Sequence, residues 1–541
     1  MSGKKNNMIV QAAILTFAGI LVRIIGILYR SPLTAIIGDE GNGIYSAAYN
    51  IYTMVLLIAS YSIPSAISKV IAARLALKQY KNAHRVFQCA LIYVLIVGGS
   101  ASLLTFVFAD FLVTETAVIP LRILSPAIFL SGILGVFRGY FQAYNSMMQT
   151  SISQIIEQIM NAVVSIGAAY FLTKPYIETT SSDKVPLYGA AGSTLGTLAG
   201  VLVALIFMAF IYYLNRSFFN KKIKQDHSKK VASYSSIFRT IFLMVTPVIF
   251  STFIYNISTS LDMKIYYHIC MELKNWTESV TSIQYGIFSG KYVLITNIPI
   301  AFASAMSSAI IPTISANFAK QDYNTTKAKI AQAIRFTMLI AIPAAVGISV
   351  LSYPIVSLLF PQPDSMQTAS NLITVGSTSV IFYSLSTLTN AVLQGIGKVN
   401  IPVKNAAISL VVHLLVLVPL LMYTDLDLYI LVLANITYSV IMCILNAHSV
   451  KKYLKYKQEL RKTFMIPILS SLIMGIITWT SYTAVYYITS NNILGLAISV
   501  VASCSVYFIV MIKLKGVIEK DLRSFPKGGV LIRLAKKFKL L

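Results

Sequence analysis

Charged residues are scarce in this sequence. Of its 541 residues only 11% are charged, whereas 56% are hydrophobic and the mean hydropathy is +0.73. Soluble globular proteins have about 25% charged residues, so this composition excludes that class. Because about 20 apolar residues cross a bilayer as a helix, the apolar runs predict an all-α polytopic membrane protein with about fourteen transmembrane helices. A count of about twelve or thirteen is the alternative.

Cysteine and the common catalytic motifs are also scarce or missing. The four cysteines, Cys89, Cys270, Cys443 and Cys504, show no paired spacing, which argues against a disulfide framework and a metal cluster. The sequence lacks the phosphate-binding pattern GxxxxGK(S/T), the zinc pattern HExxH and the nucleophile pattern GxSxG. We therefore expect no metal, no cofactor, and neither ATP-driven pumping nor the familiar hydrolase chemistry.

Acidic residues are fewer than basic ones, with 18 Asp and Glu against 44 Lys and Arg and a net charge of +26. The distribution of the charges argues against nucleic-acid binding, because acids concentrate in the odd-numbered connections and bases in the even-numbered ones. The positive-inside rule then places both termini in the cytoplasm and requires an even number of spans. The acidic connections carry Asp39, Glu40, Asp110, Glu115, Glu178, Asp183, Glu272, Glu278, Asp364, Asp425 and Asp427.

One stretch of the chain occurs twice. When the sequence is shifted by 243 positions, residues 43–90 align without gaps on residues 286–333 with 13 identities in 48 positions. Gly43, Ser46 and Tyr49, for example, fall on Gly286, Ser289 and Tyr292. Unrelated apolar segments of this composition share roughly four, so we interpret the match as an internal duplication.

The repeat predicts the domain organisation. Equivalent spans lie six helices apart, so the copies form two parallel six-helix lobes that enter the membrane with the same orientation, followed by two extra C-terminal helices. The predicted parts are an N-lobe (1–214), a basic cytoplasmic linker (215–236), a C-lobe (237–447), the last two spans (464–514) and a basic cytoplasmic tail (515–541). The tail is a candidate amphipathic helix on the anionic membrane lipids, and we expect a monomer.

Cations inside the membrane are the strongest candidate functional residues, because a charge there is costly and by default functional. At about 1.5 Å per helical residue, Arg23 lies roughly 20 Å into the first span and Lys291 roughly 15 Å into the eighth. Arg30 follows Arg23 by two helical turns and therefore lies near the same face. Snorkelling to the interface is the alternative for each.

Other polar residues have weaker claims. Lys69 and Arg138 lie near the inner interface, where headgroup contact competes with a substrate role. Glu157 is close enough in sequence to pair with Arg138. Three residues of the seventh span, Asp262, Lys264 and Asn256, are candidates for an external gate or a cation site, with simple solvation as the alternative. His413 is more consistent with hydrogen-bonded packing than with proton coupling.

A cavity lined by cations between two helical lobes suits an anion that must lose part of its water. Arginine supplies paired donors to phosphate oxygens, and lysine supplies a point charge. A lipid-linked diphosphate saccharide fits this description, because its head is anionic while its tail remains in the bilayer.

Several short motifs, weak individually, occur in a characteristic order and spacing. They are RIIG from Arg23 with a second basic residue after it, IGDEG from Ile37 with GIY from Gly43, PSAISK from Pro64, FRGYFQ from Phe137 and SQIIEQ from Ser153. In this order the chain resembles the multidrug/oligosaccharidyl-lipid/polysaccharide exporter (MOP) superfamily. It is most similar to the polysaccharide transporter branch of Gram-positive bacteria, which includes stage V sporulation protein B-like proteins and MurJ-like lipid II flippases.

The resemblance implies a flippase of the bacterial plasma membrane rather than an enzyme. Such proteins move undecaprenyl-diphosphate-linked saccharides, lipid II above all, from the inner to the outer leaflet by alternating access, with cell-wall synthesis proteins as candidate partners. In the MurJ-like branch, arginines of the first helix and a basic residue of the eighth line the cavity, roles that fall here on Arg23, Arg30 and Lys291. The second cation follows Arg23 by seven residues here, where the Gram-negative form would place it six residues on, at Tyr29.

Two other functions compete with the flippase. A drug or cation antiporter of the same superfamily needs a deep acidic residue in the first lobe, where Glu157 is the sole candidate and the first two spans contain none. A membrane-embedded glycosyl transferase needs catalytic acids or a histidine near an outer loop, and charge bias alone explains the acids there.

Overall fold

The structure, a computed structural model, describes residues 18–19, 21–61, 63–144, 146–177, 184–226, 232–360 and 362–519, together with four residues of the tail. The residues at the start of the first predicted span, before residue 18, lie outside the described residues. So do residues 227–231 of the predicted linker and most of the predicted amphipathic tail.

Every regular element in the described part of the chain is a helix, so the all-α prediction is confirmed. Four short π-helical turns adjoin longer helices. Leu57–Tyr61 and Phe288–Val293 lie between two helices, whereas Ile269–Leu273 follows a helix and Arg461–Met465 precedes one. The helices are α1 (Leu21–Leu28), α2 (Arg30–Leu56), α3 (Ile63–Ala76), α4 (Tyr80–Val107), α5 (Ala109–Leu112), α6 (Val118–Ala143), α7 (Met147–Ile177), α8 (Val185–Leu214), α9 (Arg216–Lys224), α10 (Tyr234–His268), α11 (Glu278–Ile287), α12 (Leu294–Ala319), α13 (Tyr323–Val350), α14 (Ser352–Leu359), α15 (Pro363–Gly376), α16 (Thr378–Gly395), α17 (Asn400–Tyr423), α18 (Leu428–Leu454), α19 (Ile466–Thr489) and α20 (Asn492–Lys513).

Ten helices of the described residues are long and apolar enough to cross a membrane, and two bent pairs raise the number to 12. The expected fourteen are therefore not confirmed. One bent pair is α1 with α2, which meet at 46° beside Tyr29. α2 also contains the turn between the first two predicted spans, at Gly38, whose φ of 70° is a left-handed conformation that glycine tolerates.

The residues group into two compact units, Met1–Gly290 and Lys291–Leu541. The division falls inside the π-helical turn Phe288–Val293 of the eighth predicted span. The predicted boundary between the lobes is instead the linker 215–236. The sequence repeat shows which helices are equivalent, but it does not show which helices pack together. The assignment of lobes by the repeat stays a prediction.

Small residues set the packing of the first unit. A Cβ atom at Gly200 of α8 would lie 2.5 Å from the carbonyl oxygen of Glu157 in α7, and one at Gly192 would lie 2.5 Å from the backbone nitrogen of Ala169. The glycines of α8 therefore allow its backbone to approach that of α7 closely. A cluster of aromatic rings that includes Phe87 and Tyr140, with centroids 4.5 Å apart, fills the space between α4 and α6.

The two copies of the repeated stretch meet each other inside the first unit, where α2 crosses α11. A Cβ atom at Gly43 would overlap the carbonyl oxygen of Ser282, and one at Gly286 would overlap that of Asp39. These two contacts interchange when residue numbers are shifted by 243. Repeat-equivalent hydroxyls also meet, since Ser289 Oγ donates to Ser46 Oγ at 2.8 Å. Such pairing of equivalent residues is typical of an interface built around a two-fold axis, which supports the duplication.

The second unit has its own core between α12, α13, α16 and α18. Buried amides join three helices there: Asn405 of α17 donates to Asn446 of α18 at 2.9 Å, and Asn446 donates to Asn390 of α16 at 2.8 Å. Helix α19 packs on α13, where a Cβ atom at Gly475 would lie 3.0 Å from Val346.

Candidate functional site

Arg30 stands at the first residue of α2, just after the bend from α1. The carbon of its guanidinium lies 4.7 Å from the centroid of the Tyr45 ring and 5.9 Å from that of Tyr29. Its Nη2 also donates to the Tyr45 hydroxyl at 3.4 Å. Electron-rich ring faces attract a cation without neutralising it. These uncharged phenol rings therefore hold the guanidinium in place and leave its positive charge uncompensated.

Tyr45 begins a row of three tyrosines along α2. The ring of Tyr45 stacks on that of Tyr49 with centroids 5.3 Å apart, and Tyr49 lies 5.5 Å from Tyr52. Spacings of four and three residues bring side chains onto one face of a helix. Tyr45 and Tyr52 are buried, whereas Tyr49 and Arg30 are both half-buried.

Arg23 is exposed on α1 and makes no hydrogen bond or ion pair with the residues that the structure describes. The 46° bend after α1 means that Arg23 and Arg30 do not share one straight helix, and their alignment on a single face stays a prediction. Lys69 is likewise exposed, on α3.

Arg138 of α6 and Glu157 of α7 form the ion pair that their positions in the sequence suggested. Arg138 Nη2 lies 2.6 Å from Glu157 Oε2, and Arg138 Nε donates to Ser153 Oγ at 2.9 Å. The two side chains are only 15% and 30% exposed. Arg138 therefore differs from Arg30, because a carboxylate already satisfies most of its charge.

Lys291 is the first residue of the second unit and lies in the π-helical turn Phe288–Val293. Its side chain is 0% exposed, and its ammonium donates to Ser365 Oγ at 2.5 Å and lies 5.9 Å from the Phe360 ring. A buried ammonium costs several kcal/mol by desolvation. π-helical turns inside α-helices are frequent at functional sites, and this one has no counterpart at the equivalent position of the first copy.

The three candidates on α10 do not converge. Asp262 is buried, whereas Lys264 and Asn256 are exposed. At about 100° per residue, Asp262 and Lys264 point to opposite sides of the helix. The described residues contain no group of three or more His, Cys, Asp or Glu that could hold a metal ion.

His413 is buried in α17, and its Nδ1 lies 2.8 Å from the carbonyl oxygen of Ala434 in α18. Its ring packs edge-on against Tyr438 with centroids 6.0 Å apart. This environment agrees with the hydrogen-bonded packing role that we favoured from the sequence.

Comparison with known protein families decides the family. The family described as polysaccharide biosynthesis protein matches residues 10–318, which is more than half of the chain. The chain belongs to the polysaccharide biosynthesis protein family. A second family, MatE, matches residues 292–418. Both matches confirm the expected membership of the MOP superfamily.

Curated members similar to this polysaccharide biosynthesis protein come from Bacillus subtilis (strain 168). Lipid II flippase MurJ is 24% identical over 86% of each chain, and stage V sporulation protein B is 24% identical over 96% of this chain and 98% of its own. Among solved structures, lipid II flippase MurJ in an inward closed conformation has a TM-score of 0.66 at 18% identity, covering 92% of this chain and 97% of that chain. An inward-facing multidrug resistance MATE family transporter has a TM-score of 0.64 at 16% identity, covering 82% and 99%. These structures establish the fold.

The sequence of this family member predicted the candidate cations, but it did not predict the residues that contact Arg30 and Lys291. Tyr29 and Tyr45 surround Arg30, and Ser365 accepts from Lys291 across 74 positions of sequence. The tyrosine spacing along α2 is a signal that the sequence does contain. Nothing in the sequence links Ser365 to Lys291.

Proposed function

We propose that this polysaccharide biosynthesis protein is a flippase that moves a lipid-linked diphosphate saccharide, most specifically lipid II, from the inner to the outer leaflet of the bacterial plasma membrane. The observation that carries the proposal is Arg30, a cation inside the first unit that neutral tyrosines hold in place. The name of one curated relative, lipid II flippase MurJ, supports this substrate class.

Arg30 is suited to an anion because its described partners leave its charge available. A diphosphate brings two acidic groups, and a guanidinium binds such oxygens through paired, charge-assisted hydrogen bonds. The energetic cost of keeping an unneutralised arginine within a membrane protein is large, which favours a functional reason for its presence. Arg23, exposed on the preceding helix, is the second anion-binding candidate in this unit.

Lys291 supplies a cation in the second unit. Because its ammonium is 0% exposed and bonded to Ser365, a substrate reaches it only when the packing around Ser365 opens. Alternating access of two lobes, the mechanism that we propose for this chain, provides such an opening. Lys69 remains a candidate for headgroup contact at the inner interface.

An apolar cavity in the second unit suits the lipid tail. It has a volume of about 500 Å³ and lies between α13, α19 and α20, with walls that include Ile348, Met474 and Phe508. These walls offer a polyprenyl chain the same apolar surroundings as the bilayer. The substrate can then keep its tail at the second unit while its head crosses the membrane.

A panel of substrates tests the proposed function. The purified protein in liposomes should move lipid II, and the rates for other undecaprenyl-linked saccharides would define which sugar it prefers. We expect no movement of a phospholipid marker, which lacks the diphosphate. Failure to move any undecaprenyl-linked saccharide, together with ion-coupled efflux of a cationic dye, would contradict the proposal.

That efflux is the expectation of the second candidate function, a drug or cation antiporter. The MatE match over residues 292–418 favours it. Against it, Glu157, the acidic residue that such a pump would use in the first lobe, is paired with Arg138 at 2.6 Å. A cationic drug would have to displace that arginine, so the flippase is the better-supported function.

A further inference from the structure

A second cavity, with a mostly apolar lining that includes charged groups, lies in the first unit, apart from the Arg30 cluster. It has a volume of about 540 Å³ and is formed by the last turns of α10, the π-helical turn Ile269–Leu273 and the segment 111–114 at the end of α5. Ala47 of α2 closes one end. The segment 111–114 belongs to a connection that carries acidic residues, and the positive-inside rule assigns such connections to the exterior.

Three ionisable side chains line this cavity at intervals of four residues: Lys264, His268 and Glu272. This spacing places them along one helix face, with the ends of the row about 12 Å apart. All three are exposed, and none forms an ion pair with another residue that the structure describes. The row therefore presents positive charge at one end and negative charge at the other.

The opposite wall is apolar. Phe111, which is 82% exposed, lines the cavity with Leu112 and Val113, while Met271 contributes from the side of α10. Exposed apolar surface beside a row of charges is the arrangement that an amphipathic ligand needs. Acyl chains lie against the apolar wall, and the headgroup faces the charges.

We propose that this cavity binds a phospholipid of the outer leaflet with a zwitterionic phosphoethanolamine headgroup. The phosphate binds Lys264 and His268 through charge-assisted hydrogen bonds, and the primary ammonium binds the carboxylate of Glu272. An anionic phospholipid fits less well because Glu272 repels it. A diphosphate fits less well because both of its charged groups are negative, so that neither pairs with Glu272. This inference is independent of the substrate that the protein moves.

The position of the cavity implies that a bound lipid stabilises the protein. Ala47 lies one residue beyond Ser46, whose hydroxyl contacts Ser289 where the two copies cross. A lipid that bridges α10 and segment 111–114 braces α10 beside this crossing. We therefore expect the lipid to raise the thermal stability of the protein as well as to bind it.

Lipid binding to the full-length protein in detergent tests the proposal, with phosphatidylethanolamine, phosphatidylcholine and phosphatidylglycerol as probes in native mass spectrometry and thermal melting. We expect wild-type protein to retain phosphatidylethanolamine about tenfold better than the other two, and to melt at a higher temperature with it. Glu272→Gln should remove the preference for phosphatidylethanolamine, and Lys264→Gln should weaken the binding of all three lipids.

Matched controls are Glu115→Gln and Lys274→Gln, which change charges of the same sign in nearby segments without lining the cavity. Both should bind lipids as the wild type does, and lipid-free melting temperatures show whether each variant is folded. Preference of the wild type for phosphatidylglycerol would overturn the proposal by showing an anionic-lipid site. Unchanged lipid preference in Glu272→Gln, or unchanged lipid binding in Lys264→Gln, would also overturn it, as would displacement of phosphatidylethanolamine by undecaprenyl diphosphate.

Discussion

At the scale of single residues, what matters is how the charge of each half-buried arginine is balanced. Arg138 has a carboxylate at 2.6 Å, whereas Arg30 is surrounded by the rings of Tyr29 and Tyr45. An ion pair satisfies both charges. A cation–π contact stabilises a cation by about 0.5–2 kcal/mol, but the positive charge can still attract an anion. We therefore assign Arg138 to packing and Arg30 to binding.

Substitution of Tyr45 tests whether the ring prepares Arg30 for its ligand. Tyr45→Phe keeps the aromatic face, so we expect a transport rate within about twofold of the wild type. Tyr45→Leu removes the face and should lower the rate about tenfold, through weaker substrate binding, because the guanidinium is no longer held in one orientation. Initial rates at several lipid II concentrations check this, and equal rates for all three proteins would contradict it.

Replacement of Lys291 separates function from stability. Lys291→Met has similar length without the charge, and removing a buried charge is often neutral or stabilising. We expect the variant to melt at or above the wild-type temperature but to lose transport. A lower melting temperature with normal transport would show that Lys291 is only structural, and Ser365→Ala serves as the control for the lost hydrogen bond.

These residues show what the sequence could and could not predict. Arg23, Arg30 and Lys291 were identified because charges within apolar runs are rare, and the Arg138–Glu157 pair because its members flank one short loop. The contact of Lys291 with Ser365 depends on tertiary packing across 74 positions, which no local pattern encodes. The burial of Lys291 was missed for the same reason.

At the scale of secondary structure elements, the crossing of α2 and α11 is the most constrained contact of the described repeat. Its close approach depends on Gly43 and Gly286, because backbone oxygens of the opposite helix occupy the space of a Cβ atom. The sequence revealed the repeat through such identities. It did not reveal that the equivalent residues contact each other.

Adding one methyl group tests this crossing. Gly43→Ala and Gly286→Ala should each lower the free energy of unfolding by about 1–3 kcal/mol, because the helices must move apart. Gly167→Ala is the matched control, since a Cβ atom there would have nothing within 4 Å and alanine favours a helix. Thermal melting measures the difference, and equal stability of all three variants would contradict the account of the crossing.

Hydropathy predicted where the chain is apolar enough to cross a membrane, but it did not predict where the helices bend or end. Apolar length identified the spans but not where they bend, and α2 contains both the end of the first predicted span and the first part of the second, joined at Gly38. The bend of 48° between α15 and α16 similarly divides the tenth predicted span. Local backbone geometry, rather than composition, decides these boundaries.

At the scale of the whole molecule, composition and charge distribution were sufficient to predict a multi-pass α-helical protein, and the order of its motifs predicted the superfamily. The substrate depends instead on the shape and charge around the candidate cations, of which Arg30 lies in the unit Met1–Gly290. Family membership alone leaves both a flippase and an antiporter open, so the charge of the site is the feature that separates them.

Flipping of lipid II by purified protein in liposomes tests this account most directly, by measuring the fraction of lipid II that reaches the opposite leaflet over time. The account predicts transport by the wild type, at least about a hundredfold slower transport by Arg30→Gln, and transport near the wild-type rate by the double variant Arg138→Gln/Glu157→Gln. Equal transport by the wild type and a folded Arg30→Gln variant would contradict it.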